Sequence, residues 1–557
     1  MDENTGVPAG PDEPGYGQLQ LRRDVRRRFS VLPLAYSADG HTFGFQAPLT
    51  VPLHAGAYVT IRTADGTAYL GQVTDRGISE RDGPEITAAG DAGLGIELAD
   101  SAIASASYRF RFRLVEGAGA LLGRIAPDGI APTTEQDLFE DAEIGAADAS
   151  DVERYLTGRT AGRATLEIGR VAGGHGAARA QILASGFDRH TFLCGQSGSG
   201  KTYSLGVVLE RLLLETDLRI VIIDSNSDFV RLGEERSFEE AVRGFGDALT
   251  PDAWEALRER YLEATRRLRV FRPVPRGQRA ENALRIRYSD LAPVVQGLVL
   301  RIDPLKDREE YHALRTTIER LGRSRFSLAD ILAAATAHLS DDSLKLARRI
   351  ANLGVADWDV WAEADEPSVA DADEFSGDLR ALVFDVGGFE TAEEKSLIAT
   401  ATMGTFWAWR ERRQPVLIVV DEAHNVCAAE PSDPLQAEAT ERAIRIAGEG
   451  RKFGIYLLLS TQRPQKIHPN VLSQCDNLML MRMNSVADIA ELARTFSFVP
   501  ASLMERASAF TQGESLVAGK IAPSPLLMRF GGRISLEGGS DVPTTWASPR
   551  SPGDPDR

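Results

Sequence analysis

The chain has 557 residues, a formal charge of −17 at pH 7 and the apolar content of an ordinary globular protein, a length that predicts at least two structured domains. The charge excludes a protein that coats nucleic acid with its whole surface, because phosphate binding needs concentrated Lys and Arg, although it leaves room for a local basic channel. No apolar run approaches the roughly 20 residues that span a bilayer, so the chain reads as cytoplasmic with no membrane partner.

In chain order, residues 1–27 begin "MDENTGVPAGPDEPGYG" and read as a disordered acidic tail, followed by a solvated basic run, "RRDVRRRFS". Residues 28–118 change character. Short alternating stretches such as "AYVTIRT", "AYLGQVT" and "SYRFRFRLV" between Gly, Asp and Pro turns predict strands of a small barrel or sandwich. In the last of these Tyr108, Phe110, Phe112 and Leu114 share one face, and Arg109, Arg111 and Arg113 share the other, which reads as a solvent face. Residues 119–185 look like an acidic connector. From 186 to 535 the pattern is α/β, with apolar runs "HTFLC", "LRIVIID", "RALVFDV", "PVLIVVDEA", "IYLLLST" and "NLMLMRM" predicting a mostly parallel sheet covered on both faces. A charged, helical stretch over about 230–375 is too long for a loop and predicts a helical insertion subdomain. It contains an arginine-rich segment from Arg266 to Arg287, readable either as pore or interface residues or as a salt-bridged surface. Residues 536–557 return to Pro, Gly and Ser and read as a tail. Cys194, Cys427 and Cys475 lack zinc-ligand spacing.

The stretch "GQSGSGKTY" carries the chemistry. Gly195, Gln196, Ser197, Gly198, Ser199, Gly200, Lys201, Thr202 and Tyr203 follow an apolar strand and open a helix, the context in which G-x-x-x-x-G-K-[ST] binds phosphate. Glycines let backbone N–H groups curl toward phosphate oxygens, and the helix N-terminus adds its positive end. Lys201 is then expected to reach the β and γ phosphates of ATP, with the Thr202 hydroxyl on Mg²⁺. In "VLIVVDEAHN" a buried strand ends at Asp421, expected to bind Mg²⁺ through water, and Glu422, expected to polarise the attacking water. Another strand ends at Thr461 and Gln462, where a polar side chain can sense the γ phosphate. Arg451, in the turn "GEGRKFG", is of the kind that enters a neighbour's site, which predicts an oligomer.

Four landmarks in order, "GQSGSGKT", "IIDSNSDF", "VVDEAHN" and "GRKFGIYLLLSTQRP", resemble the HerA family of hexameric DNA-translocating ATPases within the FtsK and HerA superfamily. The resemblance implies a RecA-like P-loop ATPase core over 186–535, an N-terminal β-barrel of the ATP-synthase type and a helical insertion before the second carboxylate motif. It further implies a homo-hexameric ring that moves double-stranded DNA, with a partner nuclease in DNA-end processing or anti-phage defence. An ATP-regulated scaffold ring for a bound effector, or a conjugation or secretion motor, are the competing readings. Residue by residue it assigns phosphate binding to Lys201 and Thr202, Mg²⁺ and water activation to Asp421 and Glu422, sensing to Gln462 and a trans finger to Arg451. It also places a basic residue, Arg189, near the nucleotide. An acidic position usually filled by Glu in the family is Asp228 here, which puts the hydrolysis rate in question more than nucleotide binding.

Overall fold

Alternation of inward apolar and outward polar residues builds the first of two compact units, which comprises mainly the residues up to 159; the second comprises mainly those from 160 onward. The computed structural model describes residues 31–86, 108–172, 178–246, 249–322, 325–338, 340–371 and 379–539, besides residue 23. The acidic N-terminal tail, all of the run "RRDVRRRFS" but Arg23 and most of the C-terminal tail therefore lie outside the described residues.

The first unit contains β1 (Leu34–Ser37), β2 (Thr42–Pro48), β3 (Tyr58–Arg62), β4 (Ala68–Ile86), β5 (Tyr108–Ala126), β6 (Gly129–Ala131) and β7 (Phe139–Ala146). Its antiparallel pairings run β2–β1–β7–β3–β4–β5, and β5 pairs back onto β2, so that the circuit closes. Phe43, Phe45, Val59, Ile61, Tyr69 and Val115 fill its core. A Cβ at Gly119 would run into the Phe43 ring, so this glycine lets an aromatic lie flat across β5. Arg111 and Arg113 are exposed on β5 and face the carboxylates of β4, Arg113 lying 2.7 Å from Glu80. The side chains of Tyr108, Arg109 and Phe110 lie outside the described residues.

Residues 119–146, expected as part of a connector, lie in β5, β6 and β7 instead. The physical reason is legible in β7, where Ala142 and Ile144 are buried while Glu140 and Glu143 face water. An acidic outer face made a half-buried strand look like a linker.

The second unit is organised by an eleven-stranded sheet in the order β12-β15-β11-β16-β17-β10-β18-β19-β20-β8-β9. Its strands are β8 (Thr165–Val171), β9 (Arg179–Leu183), β10 (His190–Cys194), β11 (Arg219–Asp224), β12 (Leu268–Phe271), β15 (Ala381–Asp385), β16 (Val416–Val420), β17 (Ile455–Thr461), β18 (Cys475–Met481), β19 (Glu514–Gly519) and β20 (Leu526–Phe530). A separate pair, β13 (Ile286–Arg287) and β14 (Trp361–Ala362), lies in the helical stretch. The seven strands from β12 to β18 are parallel, and β19, β20, β8 and β9 extend the sheet antiparallel. Each of the six apolar runs singled out from the sequence forms a parallel strand. β8 and β9 fall in the segment expected to be connector, and β12 in the segment expected to be helical.

Between β11 and β15 the chain is mainly helical, with Phe238–Phe245, Pro251–Thr265, Pro293–Val299, Arg308–Leu321, Leu328–Ala337 and Asp341–Leu353. Within its arginine-rich segment, Arg285 and Arg287 are buried, Arg285 against Glu366 at 2.7 Å and Arg287 against Asp290 and Asp371 at 3.0 and 3.1 Å. Those two arginines hold the insertion together from inside. No helix among the described residues is long and apolar enough to cross a membrane.

The first residue of β10, His190, is fully buried and accepts the Leu457 N–H at Nδ1 (3.0 Å). Burial, assisted by the positive charge of Arg451, pushes its pKa down to about 4 from 6.5. Below pH 6.5 the unfolded chain binds a proton that the folded one refuses, so the contribution is complete above that pH and is lost as pH falls toward 4. Lowering the pH from 7 to 5 is expected to cost on the order of 2 kcal/mol through this group, read as a falling urea midpoint. His190→Gln, which keeps an acceptor for Leu457, is expected to show a shallower slope; an unchanged slope would remove His190 from the account.

Candidate functional site

Parallel strands put all their carboxyl ends on one edge of the sheet, where open α/β sheets bind ligands. β10 leaves that edge into the Gly195–Gly200 loop. Gly198 and Gly200 adopt φ of 74° and 90°, a left-handed backbone that other residues rarely reach, and Gly200 caps the helix Lys201–Glu215. The loop is pinned from the neighbouring strands: the Gln196 N–H donates to the Arg482 carbonyl (2.9 Å) at the exit of β18, and the Gly513 N–H donates to the Ser199 carbonyl (2.9 Å). Gln196 Oε1 accepts the Asn484 N–H at 3.1 Å, while Ser197 and Gly198 remain exposed.

Lys201 turns inward under this loop. Its ammonium donates to Asp421 Oδ1 (3.2 Å), Glu422 Oε1 (3.3 Å) and Ser460 Oγ (3.1 Å). Burial works against the charged lysine, but the Asp421 and Glu422 carboxylates outweigh it and hold the pKa above the ordinary lysine value. Ser460 Oγ also donates to Asp421 Oδ1 at 3.1 Å, which joins β17 to the same cluster. Burial tends to raise the pKa of Glu422, yet the adjacent His424 imidazole and the charge of Lys201 hold it below the usual carboxylate value. Glu422 is strained, with φ of 47°, and this left-handed turn brings its carboxylate back toward Lys201.

The loop after β11 supplies more acid. Asp224 is buried and accepts the N–H groups of Asp228 (3.0 Å) and Phe229 (2.8 Å), which fixes the loop that carries Asp228. Burial, with the negative charges of Asp421 and Asp228, pushes Asp224 up to about 7 against those two hydrogen bonds. Asp228 is raised to about 6 by burial and by Asp421, and its Oδ2 accepts from the Thr202 hydroxyl at 3.4 Å. The shorter side chain that stands where the family usually has Glu therefore still reaches the loop. Asp421 Oδ2 is buried and has no hydrogen-bond partner. An orphaned carboxylate oxygen, with the Thr202 hydroxyl and Asp228 as further oxygen donors, fits a Mg²⁺ ion that keeps several of its waters.

The other candidates fall in three places. Gln462 follows β17 at the same edge, half-buried. Tyr203, one residue beyond the loop motif, faces elsewhere: its hydroxyl accepts the Arg533 N–H (2.9 Å) and the Arg236 guanidinium lies 5.8 Å from its ring centroid. Arg451 lies in the turn Gly450–Phe453 that precedes β17, at the opposite edge of the sheet from Lys201, and pairs with Asp476 at 2.6 Å. Arg189 precedes β10 at that same far edge and reaches Asp476 at 3.5 Å, so it stands away from this chain's own phosphate loop.

Ser460, Asp224 and Arg482 were not singled out from the sequence. Ser460 carried a signal, a polar residue inside the apolar run "IYLLLS", where burial without a partner is costly. Arg482, whose Nη2 donates to the Gly198 carbonyl at 3.2 Å, carried none. Among the described residues no group of three or more His, Cys, Asp or Glu side chains is placed to hold a metal ion.

Residues 166–374 match the family model described as the central domain of helicase HerA. In this region and beyond it the chain is similar to helicases of the HerA family. A DNA double-strand break repair helicase HerA of Sulfurisphaera tokodaii is 25% identical over 389 residues, 68% of this chain and 71% of that protein. Another, of Sulfolobus acidocaldarius, is 32% identical over 130 residues, 23% of this chain and 25% of that one. Among solved structures, VirB4 of Thermoanaerobacter pseudethanolicus overlaps 66% of this chain and 96% of its own, at 16% identity and a TM-score of 0.44. The chain is an ATP-hydrolysing enzyme of the P-loop class.

Lys201→Ala is expected to abolish binding of a fluorescent ATP analogue. Glu422→Gln is expected to keep that binding within a few fold and to lower turnover by about 10²–10⁴. Loss of binding in the Glu422→Gln variant would mean that the carboxylate builds the pocket and does no chemistry.

Proposed function

We propose that the protein is an ATP-driven translocase of double-stranded DNA that works as a homo-hexameric ring. The observation that carries this reading is a division between the two edges of one sheet. Lys201, Asp421 and Glu422 share a buried pocket at the carboxyl edge, while Arg451 stands at the amino edge, roughly 20 Å of strand away. An arginine so placed can complete only a neighbour's pocket. The duplex-DNA track is supported by the HerA relatives, whose names describe DNA double-strand break repair helicases.

In this reading the N–H groups of the Gly195–Gly200 loop and the Lys201 ammonium bind the phosphates of ATP. Thr202 and Asp421 would hold Mg²⁺, which offsets phosphate charge when bound, with Asp228 acting behind them. Glu422 takes the proton of the attacking water, Gln462 reports the state of the γ phosphate along β17, and Arg451 of one subunit stabilises transition-state charge in the next. The closed circuit of β1–β5 and β7 serves as a small β-barrel of the ATP-synthase type, and residues from about 186 to 535 serve as the motor. A nuclease partner, in DNA-end processing or anti-phage defence, follows from the family resemblance.

Duplex DNA is expected to stimulate ATP turnover at 50 mM salt and to lose most of that effect at 200 mM, since released counterions drive the binding. Arg451→Ala is expected to lower turnover by about 10³ or more. Mixing it with Lys201→Ala is expected to recover activity, because mixed rings rebuild some complete pockets. Full turnover by Arg451→Ala alone, or turnover indifferent to DNA at low salt, would overturn the proposal.

A further inference from the structure

Glu422 has a neighbour beside each carboxylate oxygen, and only the one on the Lys201 side makes a hydrogen bond in this state. Lys201 lies 3.3 Å from Oε1, and His424 Nδ1 lies 3.3 Å from Oε2. The first partner cannot stay. Lys201 also binds Asp421 and Ser460, and to reach the phosphates of ATP it must give up at least part of this set. The second partner is anchored independently of the nucleotide. His424 Nδ1 lies 3.0 Å from Thr461 Oγ1, and that same oxygen accepts the Arg463 N–H at 3.0 Å. The short helical turn Ala423–Asn425, which follows the left-handed Glu422, is what folds the imidazole back beside the carboxylate two residues earlier. Both side chains are about nine-tenths buried, so water competes weakly for these contacts.

We propose that His424, seated on Thr461, is a positioning residue that keeps the Glu422 carboxylate aimed at the attacking water once Lys201 has moved to the phosphates. With its proton on Nδ1 the ring bonds the Thr461 oxygen and lies 3.3 Å from Glu422 Oε2, near enough to take up that carboxylate when Lys201 leaves and so to tie it to the last residue of β17. That strand end is also where Gln462 begins, so a change sensed there reaches Glu422 through one imidazole. The inference rests on Glu422 being the water-activating group of the proposed function.

The test uses the full-length protein with ATP turnover, nucleotide binding and Glu422→Gln as reference. His424→Ala is expected to lower kcat by roughly 10- to 100-fold, the cost of a misaimed catalytic group, while KM and the affinity for a fluorescent ATP analogue change less than about threefold. His424→Asn, whose amide can occupy the place of Nδ1–H, is expected to recover most of the rate. Thr461→Val is expected to reproduce the His424→Ala loss, and the double variant to be no slower than either alone, as for two residues acting as one unit. Full kcat in His424→Ala, equal losses of rate and nucleotide affinity, or Asn no better than Ala would each overturn the positioning role while leaving Glu422 untouched. If Glu422→Gln itself turns over at the full rate, the reading of Glu422 falls, and this inference falls with it.

Discussion

Everything at the carboxyl edge of the sheet depends on one buried ammonium. A lone charge in such a place would cost several kcal/mol, and Lys201 is tolerated because Asp421, Glu422 and Ser460 surround it. The converse also holds, since two carboxylates on successive residues of a buried strand end need a cation between them. The pocket therefore holds itself together with the charge that it is built to offer. In the proposed function a triphosphate replaces the carboxylates as the partner of Lys201, and the acidic groups left behind would then need a cation and a hydrogen-bond donor of their own. Asp421 Oδ2, buried without a partner, and Glu422 Oε2, facing His424, mark where those needs arise.

The direction of the strands separates the functions. Seven parallel strands send Gly195, Asp224, Asp385, Asp421, Thr461 and Arg482 to one edge and leave Arg189, Arg219 and Arg451 at the other. One edge of the sheet is thus rich in acidic groups and carries the glycine-rich loop, and the other carries arginines. That asymmetry is what a head-to-tail ring needs, because a heterologous contact joins unlike faces.

A second ionic contact holds the phosphate-loop helix. Glu210 and Arg533 are both fully buried, 3.5 Å apart, and Glu210 also accepts the N–H groups of Ile534 (2.8 Å) and Ser535 (2.7 Å). Gly206, one turn earlier, makes the space, since a Cβ there would approach the guanidinium to 2.5 Å. The chain then runs past the Asp228 loop, where the Gly538 N–H donates to the Asp228 carbonyl (3.0 Å). One segment so braces the helix that begins at Lys201 and the loop that bears Asp228. Burying this pair is affordable only because nearly every polar atom finds a partner.

The sequence by itself determined the elements whose chemistry is local. Gly195 to Thr202 announces a phosphate loop because only glycines permit its φ angles, and "VLIVVDEA" announces a buried strand ending in acid because five apolar residues in a row have no solvent face. It also determined the six core strands, whose uninterrupted apolar runs are written out. Long-range partners decided the rest. β7 looked like connector because half its residues face water, and β8 because Glu167 and Arg170 interrupt a short apolar run; only pairing with distant strands shows that they belong to sheets. Ser460, Asp224 and the Glu210–Arg533 pair acquire meaning from neighbours far away in the chain. Tyr203 and Arg189 lie beside the motif in sequence and away from it in space, because a helix turns each successive side chain by 100° and a strand separates its two ends by its whole length.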